Sequence, residues 1–183
     1  DLSAQTTNAT NIDVVTTGTT VEFSGILSGT NSAVNKTGLG IAIFSGANTY
    51  TGETNVNSGK LTIQGSGTAG TGALTIASGA TLESSVSLAN SSITVDGTFN
   101  VTDNITVNAL TINSGATLSI SAGKTLTIAS GYALTLNKQI SLGTGNIVLA
   151  GTATMTESAT NYVITNSTGT LTRTVGASQV TFP

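Results

Sequence analysis

The sequence predicts an all-β fold, a right-handed parallel β-helix (β-solenoid) of about seven to nine coils. Three observations predict it. A Leu–Thr/Ser–Ile/Leu triplet returns at 61–63, 74–76, 110–112, 118–120, 126–128 and 134–136, and its last four copies start eight residues apart. Glycine-bearing turns separate those copies at Ser114-Gly115, Ala122-Gly123 and Ser130-Gly131. The block Leu74–Leu82 recurs almost unchanged as Leu110–Leu118. In extended chain, alternate side chains face opposite ways, so each triplet puts two aliphatics on one side and a hydroxyl on the other. Three faces of about eight residues make a coil of about 24, and coils of about 16–20 fit the other spacings. The right hand is the general rule for crossovers between parallel strands rather than something written in this chain.

Composition agrees. The chain is 38% hydrophobic and 7% charged, so it has aliphatics enough for a core and too little charge for a disordered segment. About a fifth of it is threonine, a β-branched residue that favours strands. The single proline is Pro183, so no strand in the body loses a ladder hydrogen bond to one. No long stretch carries the helical i, i+3, i+4, i+7 spacing.

Taken in order, residues 1–30 carry two alternating stretches, 11–17 and 19–25, and read as a first coil or N-terminal cap. Residues 31–40, rich in Asn, Ser and Gly, read as a loop. Beyond them Ile41, Ile43, Val56, Leu61 and Ile63 are expected to look inward. The Gly/Ser/Thr stretch 64–73 imitates a phosphate loop, but it leads to the strand Leu74-Thr75-Ile76 rather than to a helix, so it reads as a turn. Further apolar–polar–apolar triplets follow at 86–88, 93–95, 99–101 and 105–107. The tail keeps alternation at 147–149, 162–164, 171–175 and 179–182 but loses the beat. Residues 150–183 therefore read as a C-terminal cap or a transition to a further module, and 1–183 as one solenoid domain.

Residues 45–61, SGANTYTGETNVNSGKL, resemble the autotransporter-associated β-strand repeat through Gly46, Asn48-Thr49-Tyr50-Thr51-Gly52, Thr54, Val56, Gly59 and Leu61. That resemblance implies a right-handed parallel β-helix in bacterial surface and secreted proteins, often adhesins. Residues 161–183 also look like a segment of large secreted surface proteins of gliding-type Gram-negative bacteria. Neither resemblance brings catalytic residues with it.

The chemistry is bounded mainly by exclusion. Without His or Cys there is no Ser–His or Cys–His nucleophile, no disulfide and no thiolate metal site. A net charge of −3 with five scattered basic residues argues against nucleic acid. No run of 18 apolar residues is present to span a bilayer. Asp96 and Asp103, seven residues apart, are the closest acidic pair, weighed as glycosidase carboxylates or a weak calcium site against ordinary turn acids. Tyr50 and Tyr132 are expected to cover corners or coil ends.

Thr62, Thr75, Thr111, Thr127 and Thr135 sit at triplet centres and form a candidate outward ladder, a pattern that resembles ice-binding solenoids. The expected function is a non-enzymatic structural or adhesive stalk at the bacterial cell surface, without cofactor, self-associating into a fibre. Ice binding and polysaccharide binding or degradation are the alternatives.

Overall fold

A computed structural model describes residues 9–137, 140, 144–157, 171–175 and 178–182. Its strands are short because each must turn a corner within a few residues. In order they are β1 (Thr10–Asp13), β2 (Thr20–Phe23), β3 (Val34–Thr37), β4 (Ile41–Phe44), β5 (Thr54–Val56), β6 (Lys60–Ile63), β7 (Leu74–Ile76), β8 (Thr81–Ser84) and β9 (Leu88–Val95). There follow β10 (Thr98–Val101), β11 (Ile105–Ile112), β12 (Thr117–Ile120), β13 (Thr125–Ile128), β14 (Ala133–Leu136), β15 (Asn146–Leu149), β16 (Thr154–Glu157), β17 (Leu171–Val175) and β18 (Ser178–Phe182). The described residues contain no helix.

Alternate strands stack on alternate faces. β2, β4, β6, β8, β10 and β12 form a six-stranded parallel sheet. The others build a longer sheet that begins β1-β3-β5-β7-β9-β11. The long strand β11 bends across a corner, so its Ile105–Val107 half pairs with β13 and its Leu110–Ile112 half with β14. That corner opens the third face of the coil. In the earlier coils the third face holds through single backbone bonds, such as Thr49 N to Leu27 O and Thr71 N to Tyr50 O. The result is a parallel β-solenoid of about seven turns, as the repeats imply. At about 4.8 Å per coil, seven turns make a rod of about 34 Å.

Coil length varies while stacking does not. Paired residues lie 17 positions apart from Ile93 to Leu110 and 24 apart from Leu110 to Leu134. The 24-residue step is three beats of eight, one per face, through Leu118 on β12 and Leu126 on β13. The copies Leu74–Leu82 and Leu110–Leu118 occupy the same two faces two coils apart.

The core is one continuous stack. On the six-stranded sheet, Ala42, Leu61, Leu82, Phe99 and Leu118 form one inward column, and Phe44, Ile63, Ser84, Val101 and Ile120 the next. On the longer sheet Val34, Thr54, Leu74, Ile93, Leu110 and Leu134 stand in line. Each fully buried aliphatic contributes about 1.5–3 kcal/mol against the entropy of ordering.

Three expectations need correction. Residues 31–40 are not all loop, since Val34–Thr37 is β3 and pairs on both edges. Ile41 and Ile43 point outward, while Ala42 and Phe44 are buried, because the register pairs these two with inward Leu61 and Ile63. Tyr50 does stand at a corner, but it fills that corner from within and is wholly buried rather than covering it. One antiparallel pair is present, β17 with β18, at the C-terminal end of the longer sheet. The expected alternation at 162–164 lies outside the described residues.

Candidate functional site

The outer face of the longer sheet carries a polar surface in register along the rod. Because the strands pair in register, residues at one strand position line up from coil to coil. One column runs Asn11, Asn35, Asn55, Thr75, Thr94, Thr111, Thr135 and Thr156. Its first three members form an amide ladder, with Asn55 Nδ2 donating to Asn35 Oδ1 and Asn35 Nδ2 to Asn11 Oδ1, each at 3.0 Å. Above Asn55 the column changes from amides to five hydroxyls. Two residues on, Asn137 Nδ2 donates to Asn113 Oδ1 at 2.7 Å and Asn113 Nδ2 to Asp96 Oδ1 at 2.8 Å.

Of the five threonines proposed from sequence, the register brings Thr75, Thr111 and Thr135 into this column, together with Thr94 and Thr156. Thr127 stands in the neighbouring column, between Thr106 and Val148. Thr62 lies on the six-stranded sheet and is only 8% exposed, between Ile43 and Glu83 in its column. The triplet pattern records the side of a strand, not which face of the prism that strand occupies.

The acidic candidates are not brought together. Asp96 precedes β10 and Asp103 follows it, so a four-residue strand on the order of 13 Å separates them. Asp103 Oδ1 accepts from Lys124 Nζ at 2.7 Å and from the Asn104 N–H at 2.8 Å. Those bonds hold its carboxyl below the ordinary value. Among the described residues no group of three or more His, Cys, Asp or Glu is placed to hold a metal ion.

The side chains that sequence reasoning missed are buried polar ones, concentrated in 34–63 and its neighbours. Lys36 occupies an inward position between Ile12 and Val56. Its Nζ donates to Thr37 O at 2.7 Å, Gly38 O at 2.9 Å and Ser58 O at 3.1 Å, tying the turn of one coil to the turn of the next. Burial pulls this ammonium below its ordinary 10.5, against an opposing pull from Asp13. Tyr50 donates to Thr54 Oγ1 at 2.6 Å, and Thr54 donates to Ala69 O at 2.8 Å. Asn90 Nδ2 reaches the same carbonyl at 2.9 Å. Burial pushes the Tyr50 hydroxyl up to about 12, although its bond to Thr54 acts the other way.

Asn48 links three coils, its Oδ1 accepting from Leu27 N and its Nδ2 donating to Thr68 O, both at 2.8 Å. A Cβ on Gly52 would collide with Ser32 O, so the corner closes only around glycine. The Asn48–Gly52 motif is therefore a corner: an amide clamp, a buried ring, and a residue without a side chain.

This is the segment that comparison picks out. Residues 34–63 match the passenger-associated-transport-repeat. The match contains the stretch 45–61 that resembles the autotransporter-associated repeat. With the solenoid fold it points to a structural repeat of the kind carried by secreted or surface passengers. No curated protein and no solved structure matches the chain.

Proposed function

We propose that this chain is a non-enzymatic stalk module of a secreted bacterial surface protein, acting at the cell surface or beyond it. Its role is structural and adhesive: a stiff rod that carries and presents a neutral, hydroxyl- and amide-rich exterior. The observation that supports this is the unbroken inward stack, which runs through the passenger repeat at 34–63 and on to Leu149. Stacked coils of this kind gain stability from each neighbour, which suits a spacer exposed to extracellular proteases. The test is limited proteolysis joined to small-angle scattering and a polysaccharide turnover panel. A protease-resistant rod without turnover is expected. Release of reducing or unsaturated sugar would replace the stalk with an enzyme.

A second reading rests on the column Thr75, Thr94, Thr111, Thr135 and Thr156. Regular hydroxyls on a flat face suit ordered water, so ice binding predicts thermal hysteresis that falls when Thr111 becomes Tyr. A solution freezing like a buffer control removes this reading.

A further inference from the structure

One corner of the rod changes its contour from coil to coil. On one side of it Leu88, Val107 and Ile128 pair in register, and on the other Ile93, Leu110 and Leu134. Between those fixed points the chain runs through 89–92 in β9, only 108–109 in β11, and 129–133 between β13 and β14. The longer paths must swell outward, and Ala89, Ser91, Ser130, Gly131 and Tyr132 are exposed. Asn108 and Ala109 are left as a recessed step one strand spacing, about 4.8 Å, high. The upper lip of the step departs from its kind. Ala77–Ala80, Asn113–Ala116 and Ala129–Tyr132 are the same turn, closed by a bond from the fourth N–H to the first carbonyl around a glycine with φ of +82°, +88° and +85°. The fourth residue is a buried alanine in the first two, and Ala153 is buried at the matching place of the turn stacked on the third. In the turn above the step it is Tyr132, which is 40% exposed.

We propose that the step at Asn108, under Tyr132, binds one residue of a neutral saccharide chain; the proposal rests on the adhesive reading above and gives it a ligand class. A tyrosine offers an apolar ring with a polar tip, which suits a sugar, whose ring has a C–H face and a rim of hydroxyls. Asn108 spends both amide hydrogens below the step, on Ala89 O at 3.4 Å and Asn90 O at 3.0 Å. Its Oδ1 is left to accept from a sugar hydroxyl, and the exposed Ser91 hydroxyl stands beside it. No Asp, Glu, Lys or Arg occurs in 88–93, 107–110 or 128–134, so nothing here offsets the desolvation of a uronate or a phosphate. The neutral class follows from that. An open site holding one sugar residue binds with a dissociation constant on the order of 1 mM.

Titration of the isotope-labelled whole chain, followed by amide chemical shifts, tests this with cellopentaose, xylopentaose, mannopentaose and chitopentaose as probes and polygalacturonate as the charged control. At least one neutral probe should shift the amides of Asn108, Ala109 and Ser130–Ala133, and the charged control should not. Tyr132→Ala restores the residue that the like turns carry, so it should keep the fold and the melting temperature. It should nevertheless raise the dissociation constant at least about tenfold, while Tyr132→Phe binds as the parent does. No shift with any neutral probe, shifts confined to the Thr75–Thr135 column, or undiminished binding by the Tyr132→Ala chain each overturns the site. Equal binding of polygalacturonate overturns the neutral class. Cleavage of a probe would sink the stalk and leave the step standing, whereas a protease-resistant rod that shifts with none of them sinks the step alone.

Discussion

Within the coil that contains Lys36, Asn48, Tyr50 and Thr54, inward positions are filled by a lysine, an amide, a phenol and a hydroxyl, each hydrogen-bonded. From Ile105 to Leu136 the inward strand positions are Ile105, Val107, Leu110, Ile112, Leu118, Ile120, Leu126, Ile128, Leu134 and Leu136, all aliphatic. Both stretches wind the same prism. The aliphatic one gains its stability from area and would tolerate sliding, since one Leu column resembles the next. The polar one gains less from area, but its bonds are satisfied in one register alone. The hydrogen bonds of the passenger repeat thus restrict it to one register, while the interior of the regular coils is held by burial alone.

Four substitutions sharpen that contrast. Leu110→Ala, in the aliphatic stretch, should cost about 3–5 kcal/mol in urea unfolding, because the stacked coils cannot close over the cavity. Gly52→Ala should cost about 1–3 kcal/mol in thermal unfolding, since the corner must open around the new methyl. Lys36→Met keeps the apolar stem and deletes the ammonium. It should still cost about 1 kcal/mol by taking this donor from the half-buried carbonyls of Thr37, Gly38 and Ser58, of which Gly38 O keeps its bond from Ser58 Oγ. A gain in stability would mean that the polar coil sets no register. Thr111→Val, outward in the regular region, should stay within about 0.5 kcal/mol.

Alkaline pH separates the two buried titrating groups. The Tyr50 pKa is raised to about 12, so its contribution is fully present below the unfolded value near 10. It is lost as pH climbs from there toward 12. The Lys36 pKa is lowered, so the unfolded chain holds its proton longer and stability rises with pH up to the ordinary 10.5. Chemical denaturation across this range should show Tyr50→Phe losing the fall and Lys36→Met losing the rise. Identical profiles for all three proteins would contradict the burial of both groups.

The polar coil was also the harder one to read. Lys36 follows Val34 by two residues, a period-two signal for an inward position, but a lysine among Asn, Ser and Gly looks like a loop. At Ile41-Ala42-Ile43-Phe44 every residue is apolar, so alternation cannot choose a face. Only the pairing of Ala42 with Leu61 and Phe44 with Ile63 decides it. Asn48 gave a family resemblance without a mechanism, because its partners Leu27 and Thr68 lie a coil away on either side.

The amino-acid order by itself determined the solenoid and the repeat resemblance at 45–61, since strand alternation, turn glycines and an eight-residue beat are local properties of the chain. Which threonines share a column and which isoleucines face out were decided only by the stacking of coils. Those features depend on register between residues 17 to 24 positions apart, where the choice is made by the neighbour and not by the strand itself.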